Sequence, residues 1–150
     1  MAIRVLGLDH VVLRVRDVPA SLSFYCDVLG CRIEREVESI GLVQLRAGRS
    51  LIDLVDAAGE LGRKGGEAPG SEGRNLDHFA LRIETFDEVQ IRAWLAEHEI
   101  DAGAAKDRFG AEGTGPSFYI RDPDGNVIEL KGPATTRGPG SVPGSDPDSS

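Results

Sequence analysis

A short segment that contains a histidine occurs twice in the chain. The segment LDHVVLRV begins at Leu8 and the segment LDHFALRI begins at Leu76, so His10 and His78 occupy equivalent positions. The chain has only three histidines in 150 residues. Imidazole is a common ligand of divalent metals and titrates near neutral pH. The repeat therefore indicates one shared function for the two rings.

The last strand predicted for each copy contains a carboxylate. The segments LIDLV and VIELK place Asp53 and Glu129 at matched positions. A histidine or carboxylate on the inner face of a sheet needs partners for its polar atoms, and one divalent cation would satisfy two of each. The predicted metal ligands are His10, Asp53, His78 and Glu129. The alternative is that each histidine is a hydrogen-bonded core residue, or pairs with the carboxylate of its own half.

The two halves differ in length between these residues. His10 and Asp53 are 43 positions apart, whereas His78 and Glu129 are 51 positions apart. The eight extra residues of the second half are expected as an insertion in the loop RFGAEGTG.

The pattern of apolar residues predicts the same order of elements in both halves. In the first strand Val11, Leu13 and Val15 share one face, and His10 lies on the other. A helix follows the first strand of each half. Shorter strands are predicted at CRIEREV, LVQLRA and SLIDLV in the first half, and near Ile100, at SFYIRD and at NVIELK in the second. This order is two βαβββ modules, an α+β fold.

Capping residues define the two predicted helices. Asp17 and Pro19 begin the first helix, and Gly30 ends it. Thr85 or Asp87 begins the second helix. Both signals follow directly after a predicted strand, which supports the duplicated order.

Composition separates one domain from a tail. The domain is predicted over residues 1–132, with module one at 1–57, a Gly-rich linker at 58–74 and module two at 75–132. Residues 133–150 consist mainly of Gly, Pro, Ser and Asp, and cannot bury enough apolar surface to offset the entropy of ordering. We therefore predict a disordered tail.

The overall charge limits the classes of partner. The formal net charge is -8, which argues against nucleic acid or an anionic membrane as a partner. No signal peptide and no apolar run of membrane-spanning length is visible, so a cytoplasmic location is expected. Cys26 and Cys31 are expected to be buried, reduced thiols.

The segments LDHVVLRVRD, FYCDVLG, LDHFALRI and FYIRDPDGNVIEL together resemble the vicinal oxygen chelate superfamily. This superfamily includes glyoxalase I, extradiol dioxygenases, fosfomycin-resistance enzymes and bleomycin-binding proteins. The resemblance implies two βαβββ modules that form an open, cupped sheet with helices on the outside. Sequences of the glyoxalase domain-containing protein 5 type are the most similar subgroup. His10 and His78 would be the metal ligands from the first strand of each module.

Resemblance to glyoxalase I implies roles for two arginines. Arg14 falls where that family holds the glutathione carboxylate, and Arg74 falls at a second anion-binding position. Asp53 stands where glyoxalase I has the longer glutamate, and the asparagine expected near Ala57 is absent. These departures weaken the expectation that the substrate contains glutathione and the expectation that Asp53 is the fourth metal ligand.

Other members of the superfamily imply other functions. The spacing of Tyr119, Asp122 and Glu129 resembles the extradiol dioxygenase signature, in which the tyrosine assists at the substrate hydroxyl. The segment RFGAEGTGPS lacks the upstream histidine of that family, and Tyr119 could instead simply pack within its strand. Val12 replaces the threonine of fosfomycin enzymes. Bleomycin binders generally lack the metal triad, which His10, His78 and Glu129 would complete in this chain.

The resemblance leads to one predicted function and two alternatives. The predicted function is that of a lyase or isomerase of glyoxalase I type, with a Ni, Zn, Co, Mn or Fe ion that stabilises the enediolate of a small substrate such as a hemithioacetal. Glu129 would move the proton, and Tyr119 would assist. The alternatives are an Fe(II) extradiol-type dioxygenase and a non-catalytic protein that binds a small toxin or antibiotic. A homodimer is expected, with the metal site within one chain or shared between two.

Overall fold

Both halves of the sequence fold as βαβββ modules in the computed structural model, which describes residues 4–137. Within these residues the chain divides into two compact units, 4–75 with Asp122–Asn126, and Leu76–Arg121 with 127–137. The predicted α+β class and the duplication are confirmed.

The first unit contains a four-stranded sheet, one α-helix that continues into a π-helical turn, and a 3-10 turn at Glu38–Ile40 between the second and third strands. Its elements are β1 (His10–Val15), α1 (Val18–Leu22), a π-helical turn (Ser23–Val28), β2 (Arg32–Val37), β3 (Leu42–Ala47) and β4 (Ser50–Asp56). The strand order is β1-β4-β3-β2, with β1 parallel to β4 and the other pairs antiparallel. A 3-10 turn at Gly62–Gly65 follows the sheet.

The second unit repeats this arrangement and adds one short strand. Its elements are β5 (Phe79–Arg82), α2 (Glu88–Glu97), β6 (Lys106–Gly110), β7 (Gly113–Arg121), β8 (Val127–Lys131) and β9 (Thr136–Arg137). The order is β5-β8-β7-β6, and β9 pairs with β7. Strands β5 and β8 are parallel, as β1 and β4 are.

Side-chain caps begin both α-helices. The carboxylate of Asp17 accepts a hydrogen bond from the backbone N–H of Ala20, and Asp87 accepts one from Gln90. Asp87, rather than Thr85, is therefore the cap of the second helix. Gly30 ends the first helical segment with a φ of +77°, which lies in the left-handed region that favours glycine.

One face of each sheet forms a core, and the other face carries the histidine. In β1, Leu13 and Val15 are buried whereas His10 is exposed, as the alternation predicted. The largest fully buried apolar side chains are Tyr25, Leu45, Ile52, Leu54, Leu95, Phe118, Ile120 and Ile128. Each histidine therefore lies on the face opposite to the packed core.

The predicted strand near Ile100 is wrong, and so is the predicted insertion loop. Residues 100–105 contain no strand, and the second strand of the second unit is β6, which begins at Lys106. The segment RFGAEGTG forms the hairpin between β6 and β7, in which Gly110 pairs with Gly113 around a two-residue turn. The extra length of the second unit lies mainly in the connection that follows its helix. Residues 98–105 connect α2 to β6, whereas residues 29–31 connect the π-helical turn to β2 in the first unit.

Two residues of the predicted tail form the short strand β9. Thr136 pairs with Thr114, and Arg137 pairs with Gly113, along the edge of β7. The remaining residues of that tail, 138–150, lie outside the described residues. Among residues 4–137, no helix has both the length and the apolar content that crossing a membrane requires.

The two cysteines are free thiols. Cys31 is buried as predicted, whereas Cys26 is only half-buried. Burial is the main cause that raises the pKa of the Cys31 thiol to about 11.

Candidate metal centre

In the second unit, His78 and Glu129 lie together on the histidine-bearing face. The Nε2 atom of His78 is 3.4 Å from Oε2 of Glu129. The register of β5 and β8 accounts for this contact, since Glu129 pairs with Ala80, two residues after His78. The histidine side chain is 34% exposed and the glutamate side chain 8%. A partly exposed imidazole therefore lies beside a buried carboxylate.

The first unit has the same register. Asp53 pairs with Val12, two residues after His10, and the carboxylate is buried. The pKa of His10 is raised, first by its hydrogen bond with Asp9 and further by the negative charge of Asp53. The histidine and carboxylate of each sequence repeat are thus neighbours within their own unit.

An aspartate orients each of the two histidines. Asp9 lies 2.6 Å from Nδ1 of His10, and Asp77 lies 2.6 Å from Nδ1 of His78. A carboxylate can only accept, so Nδ1 carries the proton of this hydrogen bond and the Nε2 lone pair of the neutral ring stays available. Histidine ligands of metals commonly have such a partner. The sequence contains a signal for these partners, since aspartate directly precedes histidine in both copies.

The buried carboxylates fit a divalent cation. Oδ1 of Asp53 and Oε1 of Glu129 are both buried without a hydrogen-bond partner in the described part of the chain. An unpaired buried anionic oxygen is costly, and a cation would offset that cost. Imidazole nitrogen and carboxylate oxygen suit the first-row divalent metals. Within residues 4–137 themselves, no three His, Cys, Asp or Glu side chains are grouped closely enough to hold an ion.

Cross-strand neighbours distinguish the two carboxylates. Gln44 pairs with Asp53 across β3 and β4, and its Nε2 donates to Oδ2 of the aspartate at 3.0 Å. The equivalent neighbour of Glu129 is Tyr119. The Tyr119 ring meets His78 edge-on, with a centroid distance of 5.3 Å. A phenol therefore stands beside the histidine and carboxylate of the second unit.

Arg14 contacts the segment that follows the first sheet. Its three guanidinium nitrogens donate to the backbone carbonyls of Gly62, Gly66 and Glu67, at distances of 2.6–3.0 Å. These bonds stabilise the turn and its exit. A role for Arg14 in binding substrate stays a prediction, and its contacts give that role no support.

Arg74 contacts the turn between β7 and β8. Its Nη2 donates to the carbonyl of Asp124 at 2.8 Å, and its Nη1 donates to the side chain of Asn126 at 3.2 Å. The same turn is anchored by Asp122, which accepts from Tyr25 at 2.7 Å. The predicted role of Arg74 in binding an anion likewise stays a prediction.

Comparison with known proteins agrees with this fold. Residues 7–130 match the profile of the Glyoxalase/Bleomycin resistance protein/Dioxygenase superfamily. A catechol-2,3-dioxygenase of Bacillus subtilis (strain 168) is 27% identical over 124 residues, which are 82% of this chain and 40% of that protein. The chain thus spans about two fifths of the dioxygenase.

Two further proteins match over most of their own length. A probable lactoylglutathione lyase of Synechocystis sp. is 30% identical over 131 residues, covering 82% of this chain and 92% of that protein. The solved structure of an integron cassette protein from the mobile metagenome of V. cholerae has a TM-score of 0.68 at 28% identity. That similarity covers 88% of this chain and 98% of the other.

Proposed function

Because the chain belongs to the glyoxalase/bleomycin resistance protein/dioxygenase superfamily, we propose that it is a metal-dependent enzyme of glyoxalase I type. The observation that carries the proposal is the repeated pair of buried carboxylates, each next to a histidine and each with an unpaired oxygen. The similarity to a probable lactoylglutathione lyase over nearly its full length supports the same reaction class.

The proposal assigns the metal to the two histidine–carboxylate pairs. His10 and Asp53 would be its ligands from the first unit, and His78 and Glu129 those from the second. When bound, a divalent cation such as Ni, Zn, Co, Mn or Fe supplies Lewis acidity toward two adjacent oxygens of a small substrate. Asp9 and Asp77 hold the imidazoles with Nε2 available for the ion.

Glu129 is the residue to which we assign proton transfer. Its Oε1 has no partner in the described chain and can accept a proton from one carbon of the substrate and return it to the next. Tyr119 lies directly opposite on β7 and can donate its hydroxyl to a substrate oxygen. Buried surroundings exclude water from the carboxylate and strengthen its electrostatic interactions.

An extradiol-type dioxygenase is the second candidate. The contact between Tyr119 and His78 favours it, since a phenol beside the metal ligands can assist at a substrate hydroxyl. Two histidines and one carboxylate also suit non-haem Fe(II). The catechol-2,3-dioxygenase relative supports this class, although it is more than twice as long as the matched region.

An activity comparison separates these candidates. Protein stripped with a chelator is reloaded with each metal in turn and assayed with a glutathione hemithioacetal and with catechol. We expect isomerisation of the hemithioacetal, abolished by Glu129→Gln and retained by the matched variant Glu84→Gln, whose glutamate is exposed. Ring cleavage by the Fe(II) form alone would identify the dioxygenase. Binding of either compound without turnover would indicate a non-catalytic protein.

We also propose a homodimer. Large apolar side chains before β1 are highly exposed, namely Val5, Leu6 and Leu8 at 80%, 89% and 83%. Such exposure is typical of an association surface. If sites are shared between chains, mixing the variants His10→Ala and Glu129→Ala should restore about a quarter of the activity, because each heterodimer then has one intact site. Sedimentation as a monomer at micromolar concentration would refute the dimer.

A further inference from the structure

Gln44 lies directly opposite Asp53 in the first unit. The two residues pair across the antiparallel strands β3 and β4, so their side chains share the sheet face that also carries His10. On its other side β3 pairs with β2, where Arg35 is the neighbour of Gln44, so β3 is an inner strand of the sheet. Because strands on both sides hold its backbone, Gln44 has a fixed position relative to the aspartate.

The hydrogen bond from Gln44 distinguishes the two oxygens of the Asp53 carboxylate. Nε2 of Gln44 donates to Oδ2 of the aspartate at 3.0 Å. Oδ1 is buried and has no hydrogen-bond partner within residues 4–137. The aspartate is only 4% exposed, so bulk solvent contributes little to stabilising that oxygen. One oxygen of the carboxylate therefore accepts from a neutral amide, and the other is left for a ligand.

The carboxylate of the second unit contacts its histidine instead. Oε2 of Glu129 lies 3.4 Å from Nε2 of His78. In the described part of the first unit, no ion pair joins His10 to Asp53. Two causes act in the same direction, since aspartate is one methylene shorter than glutamate and its Oδ2 is held by Gln44. The imidazole and the unpaired Oδ1 of the first unit are thus kept apart.

We infer that Gln44 is a positioning residue of the metal centre, whose amide directs Oδ1 of Asp53 to the ion and keeps the aspartate apart from His10. The inference rests on the proposed function, in which His10 and Asp53 are metal ligands. Without the amide, the aspartate side chain can rotate toward the imidazole in the metal-free protein, and the ion must then displace that new contact. Partners that hydrogen-bond to ligating side chains typically change metal affinity about 10–100-fold.

The chemistry of glutamine suits this position. A primary amide supplies N–H donors and has no charge, so it orients the carboxylate without repelling a cation. A lysine or arginine at position 44 would form a stronger hydrogen bond with Asp53, but its positive charge would oppose metal binding at short distance. Gln44 therefore holds one oxygen of Asp53 and leaves the negative charge of the carboxylate available to the ion.

Competition between the full chain and a chelator of known affinity measures the binding of Zn²⁺. Gln44→Met keeps the length of the side chain and removes the donor, and we expect it to bind Zn²⁺ about tenfold more weakly than the wild type. The matched control is Gln90→Met, which replaces an exposed glutamine of α2 and should bind as the wild type does. The effect of Gln44→Met should disappear when Asp53→Ala is also present, because Gln44 acts only through that carboxylate.

NMR of the metal-free protein gives a second measurement. Gln44 and Gln90 are the only glutamines of the chain, so Gln44→Met and Gln90→Met identify the two side-chain NH2 signals. We expect slower hydrogen exchange for the Gln44 signal than for the Gln90 signal, and faster exchange of the Gln44 signal in Asp53→Ala. Equal exchange of the two signals in the wild type would overturn the positioning role.

The zinc measurements separate failure of this inference from failure of the proposed function. Equal affinity in the wild type and Gln44→Met, or the same loss with and without Asp53→Ala, would overturn the positioning role while the metal centre stands. No zinc binding by the wild type would refute the proposed function and the positioning role together. If Gln44→Met does not fold, Gln44→Ala takes its place in the same comparison.

Discussion

The Nε2 atom of His78 lies 3.4 Å from Oε2 of Glu129. The parallel pairing of β5 with β8 accounts for this relationship, and β1 with β4 has the same register. In both units a half-exposed histidine is next to a buried carboxylate, and an aspartate forms a hydrogen bond with the Nδ1 atom of that histidine. The symmetry of these contacts is the physical basis of the predictions on metal binding.

Removing the orienting aspartates should weaken metal binding without removing a ligand. Asp77→Ala is expected to lower metal affinity about 10–100-fold, because partners of this kind fix the tautomer and orientation of the ligating ring. NMR of the imidazole nitrogens in the metal-free protein should show a loss of the Nδ1–H tautomer at His78. The exposed Asp101→Ala is the control. An unchanged tautomer and unchanged affinity in Asp77→Ala would contradict this role.

The two carboxylates should contribute unequally. Asp53→Ala is expected to weaken metal binding less than Glu129→Ala, because aspartate is one methylene shorter and its Oδ2 already accepts from Gln44. Competition with a chelator of known affinity measures both variants. A larger loss of affinity in Asp53→Ala would reverse the ranking.

Arg14 is expected to stabilise the segment 62–67, which follows the first sheet. Arg14→Gln removes donors to the carbonyls of Gly62, Gly66 and Glu67, so trypsin should cleave faster after Arg63 and Lys64. The control is Arg35→Gln, which replaces an exposed arginine of β2, and trypsin should cleave this variant at the same rate as the wild type. Unchanged cleavage combined with weaker substrate binding would instead restore the role expected from the sequence.

Some of these contacts could be predicted from the sequence, and others could not. The repeated LDH segments, the alternation in β1 and the cap at Asp17 identified the modules, because these signals are local. The strand near Ile100 was misplaced because Gly110 and Gly113, taken as a loop, form a tight hairpin. The contact between Gln44 and Asp53 depends on the register of β3 with β4, and the apolar alternation within one strand does not contain that information.

A buried hydrogen bond should make stability sensitive to alkaline pH. Tyr25 is fully buried and donates to Asp122, and burial, with the aspartate charge, raises the pKa of the phenol. The stabilisation is present below the unfolded-state pKa of about 10 and is lost as pH rises above it. Tyr25→Phe should lower the free energy of unfolding by about 1–3 kcal/mol at pH 7.

Denaturant unfolding at a series of pH values checks this expectation. The wild type should lose stability between about pH 9 and 11 more steeply than Tyr25→Phe, since only the wild type has this buried phenol to ionise on unfolding. Parallel slopes for the two proteins would show that another group controls the alkaline limit.

Metal content of the purified protein tests the central claim most directly. Divalent metal is measured by elemental analysis in the wild type, in His10→Ala and in His78→Ala, with His98→Ala as the matched control because His98 is exposed at the end of α2. We predict near-stoichiometric metal in the wild type and in His98→Ala, and well below stoichiometric metal in each of the other two variants. Full occupancy in both His10→Ala and His78→Ala would contradict a metal centre built on the repeated histidines.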